Sequence, residues 1–429
     1  MGWTIQEALA WLDGHDNFET KGVFAKEPSL EPVAKVLEAL GISSTEFRTI
    51  HVTGTNGKGS VSRICTELLV RMGQKVGTFL SPHLDRVNER ILIGGIPVTD
   101  DLLASELLLV AGVEEKLGLT LSWFEVLTAT AISLFYAEGV EAAVVEVGIG
   151  GTWDSTNVVD GDVAVVTSIG HDHLELLGPG LEGVADNKAG IIKPGSVAVL
   201  GAIPDDLMTY FDRRPNRGVL RLGRDISVSE QTLAVGGWRF DLRTPRTIYQ
   251  ELFVALHGRH QVENAAVAIA AVEELVGSSL DYDTVGEALG SVSVPARVEV
   301  VYRSPLVVVD GAHNAEAAEA LARTFAEEFS GIEPAYGVVA MLAGKDANAV
   351  LRAMKSRLAG VFVATIGEQR AMPLEALAAV ALEEGFSVLE ASSVEEGVSE
   401  AMQLAGQDGA VVVFGSFRTA ARARRFLLS

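Results

Sequence analysis

Residues 48–73 read RTIHVTGTNGKGSVSRICTELLVRMG, and they decide the fold. RTIHV is a short β-branched apolar run, so it predicts a strand. VSRICTELLVRMG carries apolar residues at helical spacing and stops at a glycine, so it predicts a helix. Between them lies TGTNGKGS, Thr53 to Ser60, with glycines at 54, 57 and 59. Glycine tolerates the positive φ values that let successive backbone N–H groups curl around an anion. Lys58 can then reach the outer phosphates of a nucleotide, and Ser60 can ligate a divalent cation. The spacing departs from the common GxxxxGK[ST] loop, because Gly59 separates the lysine from the serine.

Working outward, strand-length apolar runs alternate with longer helical segments, the rhythm of α/β layers around a mostly parallel sheet. EAAVVEVG (141–148) and DVAVVTSIG (162–170) are two further strands. Both end in polar or glycine-rich loops, and open α/β sheets bind ligands beyond the carboxyl ends of their strands. From Gly201 to Phe253 the pattern shortens and alternates, predicting an antiparallel β excursion. A helix follows at QVENAAVAIAAVEEL (261–275). SVSVPARVEVVYRSP (291–305) reads as a joint between domains. A second, Rossmann-like α/β domain is then expected on strands LVVVD, AYGVVAM, GVFVATI, FSVLE and AVVVFG, each buried on both faces. The expected domains are 1–294 and 295–429.

The 429 residues are 48% apolar, enough for more than one core. Net charge is 34 Lys and Arg against 57 Asp and Glu, or −23. Such an acidic chain is a poor binder of nucleic acid or anionic membrane. The single cysteine, Cys65, excludes a disulfide framework and is expected buried on a helix. MGWTIQEALAWLDG has no basic leader, Gln6 stands where myristoylation wants Ser or Thr, and no run approaches a membrane span. A cytoplasmic protein is expected.

TGTNGKGS, with its extra glycine, resembles the ATP loop of the Mur ligase superfamily, and of its folylpolyglutamate synthase and dihydrofolate synthase branch in particular. SPHLDRVNERI (81–91), EVGIGGTWDSTNVV (146–159), SIGHDHLELLG (168–178), KAGIIKPG (188–195), GRHQVENAAVA (258–268), ARVEVV (296–301), DGAHN (310–314) and GSFR (415–418) resemble that branch in the same order, across nearly the whole chain.

The resemblance implies an ATP- and Mg²⁺-dependent ligase joining L-glutamate to a folate or dihydropteroate, working as a monomer. It implies ATP contacts at Thr55, Asn56, Gly57, Lys58, Gly59, Ser60, Asn264, Arg297 and Asp310. One or two Mg²⁺ ions would be held by Ser60, Ser81, Glu146 and His173, with His171 an accessory residue. Glu146 has its own chemical argument, since a carboxylate ending an apolar strand needs a cation. Phe124, Ser81, Pro82 and His83 are expected at the substrate, and Lys188, His313 and Arg297 at the chemistry. Lys188 is further expected to be carbamylated, and Asn314 can serve as a helix N-cap.

The reaction implied is attack of a substrate carboxylate on the γ-phosphate of ATP, then attack of the glutamate amine on the acyl phosphate. Phosphoryl transfer of this kind is chiefly positioning and electrostatics, and closure of the second domain would keep water from the acyl phosphate.

Three departures from the family pattern bear on substrate choice or stand beside it: Thr152 and Trp153 after the GIGG-type turn, Pro32 after LE, and GK before Asp346. Two rival readings are a Mur ligase acting on a cell-wall precursor and a non-catalytic ATP-binding module. The 52 residues ahead of Thr53 are too few for the extra domain of the first, and DGAHN, Arg297 and the Lys188 segment are superfluous to the second.

Overall fold

In a computed structural model, residues 2–22, 24–42 and 46–429 are described. Contacts divide the chain into two compact units. The first comprises 1–232, 239–254 and 262–292; the second comprises 233–238, 255–261 and 293–429.

The first unit is built on eight strands: β1 Arg48–Thr53, β2 Val76–Phe79, β3 Ile91–Ile93, β4 Ile96–Pro97, β5 Ala142–Glu146, β6 Val163–Ser168, β7 Val197–Ala202 and β8 Gly218–Arg221. Their order is β4-β3-β2-β5-β1-β6-β7-β8. From β2 to β8 every pairing is parallel, and β3 and β4 add an antiparallel edge. The register sets Val52 opposite Glu146, Thr53 opposite Val166 and Phe79 opposite Val145. The loops after β1, β2, β5 and β6 therefore leave the sheet along one edge, and these loops carry the motifs.

The helix Lys58–Arg71 starts inside the glycine loop and buries Val61, Ile64, Cys65, Leu68 and Leu69. That i, i+3, i+4, i+7 stripe packs the helix on the sheet, and Cys65 is fully buried as expected. The helix Trp123–Ala137 is apolar almost all round, so it is buried rather than amphipathic. Its Phe135 ring occupies the space beside Gly77, where a Cβ would come within 2.4 Å. Burying such a ring contributes about 1.5–3 kcal/mol.

The antiparallel excursion is real but shorter than expected. It consists of β9 Ser227–Ala234, β10 Gly237–Arg243 and β11 Ile248–Val254, in the order β11-β10-β9. Residues 201–221 instead finish the parallel sheet with β7 and β8. β8 is only four half-buried residues at the sheet's edge, so it lacks the apolar run that marks a buried strand.

The second unit carries β12 Glu299–Arg303, β13 Leu306–Val309, β14 Ala335–Val339, β15 Gly360–Ala364, β16 Val388–Ala391 and β17 Ala410–Phe414, in the order β12-β13-β17-β14-β15-β16. β12 was read only as part of a joint. It is an edge strand, half-buried to exposed, turned antiparallel onto β13. The expectation that every strand here is buried on both faces fails at β16, where Leu389 is 41% exposed and Glu390 is exposed. An edge strand has a neighbour on one side only, so part of it meets water. Among the described residues no helix is long and apolar enough to cross a membrane.

Candidate functional site

The glycine loop is clamped to the end of β6. Thr55 N–H donates to Ser168 O at 2.9 Å, and Asn56 N–H donates to Ser168 Oγ at 3.0 Å. Thr167 Oγ1 donates to Asn56 O at 2.6 Å, and Thr53 Oγ1 donates to Gly150 O at 2.6 Å. The N–H groups of Thr55 and Asn56 thus hold the loop's shape. The segment from Gly57 into the start of the helix Lys58–Arg71 is the part of the loop that the helix dipole makes attractive to an anion. Gly57 has φ +87° and would bring a Cβ to 2.7 Å from Asn264 Oδ1, so the loop and Asn264 are direct neighbours.

Two lysines meet on one carbonyl. Lys58 Nζ and Lys188 Nζ each donate to Gly54 O at 2.9 Å. Lys188 is buried, and burial first, then the Lys58 ammonium, holds it well below its ordinary value. Asp172 and Asp154 oppose this. Lys193, five residues on, donates to Asn157 O and Val159 O, the blander role of a cation at the end of a helical turn.

Glu146 ends β5 and is 3% exposed. Its Oε2 accepts from Ser81 N–H at 3.3 Å, and both oxygens lie 3.8 Å from where a Cβ on Gly59 would stand. The β2 loop, the β5 carboxylate and the first helical turn therefore converge. Ser60, beside Gly59, is buried. Ser60, Ser81 and Glu146 are oxygen-bearing residues, one of them a carboxylate, on the elements that converge here. That set fits Mg²⁺, which takes one or two carboxylates and completes its shell with phosphate and water. His173 is the weaker match, being a nitrogen donor. It caps the short helix Leu174–Leu177 at φ +54°, its ring 3.7 Å from Asp172 and 3.9 Å from Glu175, while His171 is exposed. Among the described residues no cluster of three or more His, Cys, Asp or Glu side chains is placed to hold a metal.

Of the residues expected at the substrate, Phe124 roofs the turn after β5. A Cβ on Gly148 would lie 2.8 Å from its ring and 3.1 Å from Asp154 Oδ2. His83 Nδ1 accepts from Arg90 Nε at 2.8 Å, so the ring's proton resides on Nε2. Arg90 is fully buried, grips both oxygens of Glu19 and lies over Trp123. Pro82 follows Ser81 through a cis bond. Trp153, a family departure, meets Phe24 edge-on at 5.6 Å, and Phe24 stacks on Phe18 at 4.3 Å. Thr152 Oγ1 donates to Asn187 O at 2.9 Å. Pro32 sits in the first turn of the helix Glu31–Ala39, where its missing N–H costs nothing.

The sequence reading passed over Asp154, Arg90 and Glu19. Asp154 is buried and accepts from Ile149 N–H, Thr156 N–H and Thr156 Oγ1. Burial raises its carboxyl while those bonds oppose the shift. Its one signal in sequence was a carboxylate in a Gly/Ser/Thr loop just beyond a strand's carboxyl end.

In the second unit, Asp310 directly follows β13, buried, with Oδ1 accepting from Ala312 N–H at 2.7 Å and Oδ2 from Val298 N–H at 2.8 Å. Burial raises its carboxyl against the pull of Arg297. Arg297 lies over the Phe417 ring at 4.4 Å. His313 Nδ1 is 2.9 Å from Gly311 O, which makes Nδ1 the protonated nitrogen and Nε2 the acceptor. Asn314 caps the helix Ala315–Glu328 by accepting from Ala317 N–H, and Asp346 caps Ala347–Met354.

Residues 99–272 match the Mur ligase middle domain, and 296–417 match the Mur ligase glutamate ligase domain. The chain is 36% identical to the dihydrofolate synthase/folylpolyglutamate synthase of Mycobacterium tuberculosis, over 83% of this chain and 78% of that protein. It is 32% identical to the folylpolyglutamate synthase of Lacticaseibacillus casei, over 94% and 95%. Among solved structures, M. tuberculosis folylpolyglutamate synthase complexed with ADP superposes with a TM-score of 0.92 at 33% identity, covering 99% of this chain and 98% of that one. E. coli FolC in complex with DHPP and ADP gives 0.88 at 28% identity, covering 99% and 97%. With its glycine loop, its converging strand ends and these relatives along nearly its full length, the chain belongs to the folylpolyglutamate synthase/dihydrofolate synthase family of Mur ligases.

Proposed function

We propose that this protein is an ATP-dependent ligase that adds L-glutamate to a folate and also to dihydropteroate. The observation that carries the reading is the meeting of Lys58 and Lys188 on Gly54 O, next to a helix start that is underlaid by Glu146. Such a grouping suits a polyphosphate and the charge that develops as its terminal phosphoryl group leaves. The relatives supply the substrates: folylpolyglutamate synthases, and complexes with ADP and with DHPP. Neither the cell-wall reading nor the non-catalytic one draws support from them.

In this reading a substrate carboxylate oxygen bonds to the γ-phosphorus of ATP as the bond to the β–γ bridging oxygen breaks, giving an acyl phosphate and ADP. The glutamate nitrogen then bonds to the acyl carbon, the amine loses a proton and inorganic phosphate departs. Gly57 to Ser60 and Asn264 hold the nucleotide, and Lys58 neutralises its outer phosphates. Arg297 neutralises charge on the transferring group, and Asp310 fixes the backbone that carries it. His313, whose Nδ1 is turned to Gly311 O, is suited to take the amine proton. Phe124, Ser81, Pro82 and His83 border the folate. Ser60, Ser81, Glu146 and His173 would hold Mg²⁺, which when bound screens charge on the phosphates.

Lys188, buried and disposed to be neutral, is suited to add CO₂ and lose a proton, becoming a carbamate. The decisive assay follows ADP release with ATP plus dihydropteroate or a reduced folate, with and without L-glutamate. Release coupled to glutamate addition on both acceptors is expected. Turnover indifferent to glutamate would overturn the ligase reading. Addition to the folate alone would reduce it to chain extension.

A further inference from the structure

We propose that Phe417 is a positioning residue that sets the Arg297 guanidinium for the transferring phosphoryl group; the proposal rests on the role given to Arg297 above. Three features of the second unit converge on it. The guanidinium carbon of Arg297 is 4.4 Å from the centre of the Phe417 ring, within the range of a cation–π contact. The ring reaches that place only because residue 311 is glycine, since a Cβ there would come within 2.8 Å of Phe417 Cδ2 and Cε2. The glycine of DGAHN and the aromatic of GSFR are thus two halves of one contact.

The third feature is the backbone on either side of Arg297. Ala296 and Val298 both have positive φ, +56° and +46°. A β-branched residue in that region is a true outlier and persists only where its surroundings over-determine it. Here they do. Val298 N–H donates to Asp310 Oδ2, Gly311 N–H donates to Ala296 O at 2.9 Å, and Ala296 N–H donates to Glu299 Oε2 at 2.9 Å. Glu299 in turn is held by Arg424 at 3.0 Å.

The Cα of Arg297 is therefore fixed from both sides, but a long arginine side chain keeps its own rotamer freedom. The aromatic plate narrows that freedom by attracting the cation's charge to one face of the ring. Phe417 is itself anchored as the first residue of the helix Phe417–Leu428. Its N-cap, Ser416, is buried and accepts from Thr419 N–H at 3.0 Å.

The test is a double-mutant cycle on the full chain, reading kcat and KM for ATP separately. Phe417→Leu keeps the apolar bulk and removes the π face, and Phe417→Tyr keeps the face. Phe417→Leu should lower kcat about ten-fold with little change in KM for ATP, a loss between those of an exposed and a fully desolvated cation–π contact. Phe417→Tyr should stay within about three-fold of the parent. In an Arg297→Ala background, Phe417→Leu should cost nothing further, because the contact it removes is already gone. If Arg297→Ala is impaired yet Phe417→Leu either retains full kcat or lowers it equally in both backgrounds, the positioning role is overturned while the Arg297 reading stands. If Arg297→Ala is itself fully active, both fall.

Discussion

Gly54→Ala strikes the point on which the proposed nucleotide site depends. Gly54 has φ +153°, and its carbonyl accepts from both Lys58 Nζ and Lys188 Nζ. A Cβ there would stand 1.8 Å from Thr167 Oγ1, 3.1 Å from Thr167 Cβ and 3.1 Å from Ser168 N. Ordinary contact begins at 3.4 Å, so about 1.6 Å must open between the loop and β6. Thr167 cannot turn aside freely, because its hydroxyl is bonded to Asn56 O and Thr53 O.

Overpacking of this kind costs about 1–3 kcal/mol, and the loss of one buried hydrogen bond about 1 kcal/mol more. A total near 2–4 kcal/mol should lower Tm by roughly 3–7 °C in a unit of this size. Turnover should suffer more than stability, since a displacement of about 1 Å at a reacting group costs of order 10²-fold. The assays are a thermal melt and ADP formation with folate and glutamate present. Adding Thr167→Ala removes the clashing oxygen, so the double variant should melt above Gly54→Ala alone. An unchanged Tm together with unchanged turnover in Gly54→Ala would refute the reasoning, as would a double variant melting lower still.

Glu146→Gln should shift the Mg²⁺ titration of activity at least ten-fold upward, by removing the one carboxylate of the donor set; an unchanged titration removes Glu146 from the metal's surroundings. Lys188→Ala should be nearly inactive and partly rescued by acetate at high concentration, whereas a parent of unmodified intact mass in bicarbonate, with no rescue, sinks the carbamate. Burial holds two histidines neutral in the fold, His51 at about 3 and His260 at about 4. A lowered folded-state value means stability present above about 6.5 and lost as pH falls toward those values. From pH 7 to 5 the two together should cost about 3–4 kcal/mol in denaturant unfolding, and a flat profile over that window contradicts their burial as neutral rings.

What the sequence made legible was whatever a residue must do for its own neighbours. Gly54 and Gly57 adopt backbone conformations that other residues resist, so TGTNGKGS announces its loop without reference to the rest of the chain. The parallel strands announce themselves by continuous burial. β8 and β12 do not, because each lies at an edge where burial is partial and the pattern blurs, whereas FSVLE marks β16 although part of that strand meets water. The site divides along the same line. Asn314 is legible as a cap because a cap is a bond three residues long. Arg90 gripping Glu19 spans 71 positions, and no local pattern sets such a partner. Arg297 and Phe417 stand 120 positions apart (417 − 297) and were noticed only as members of separate motifs. What neither motif could say is why Gly311 must be glycine. The loop of DGAHN makes room for a ring from GSFR, and that requirement exists only once β13 and β17 lie side by side.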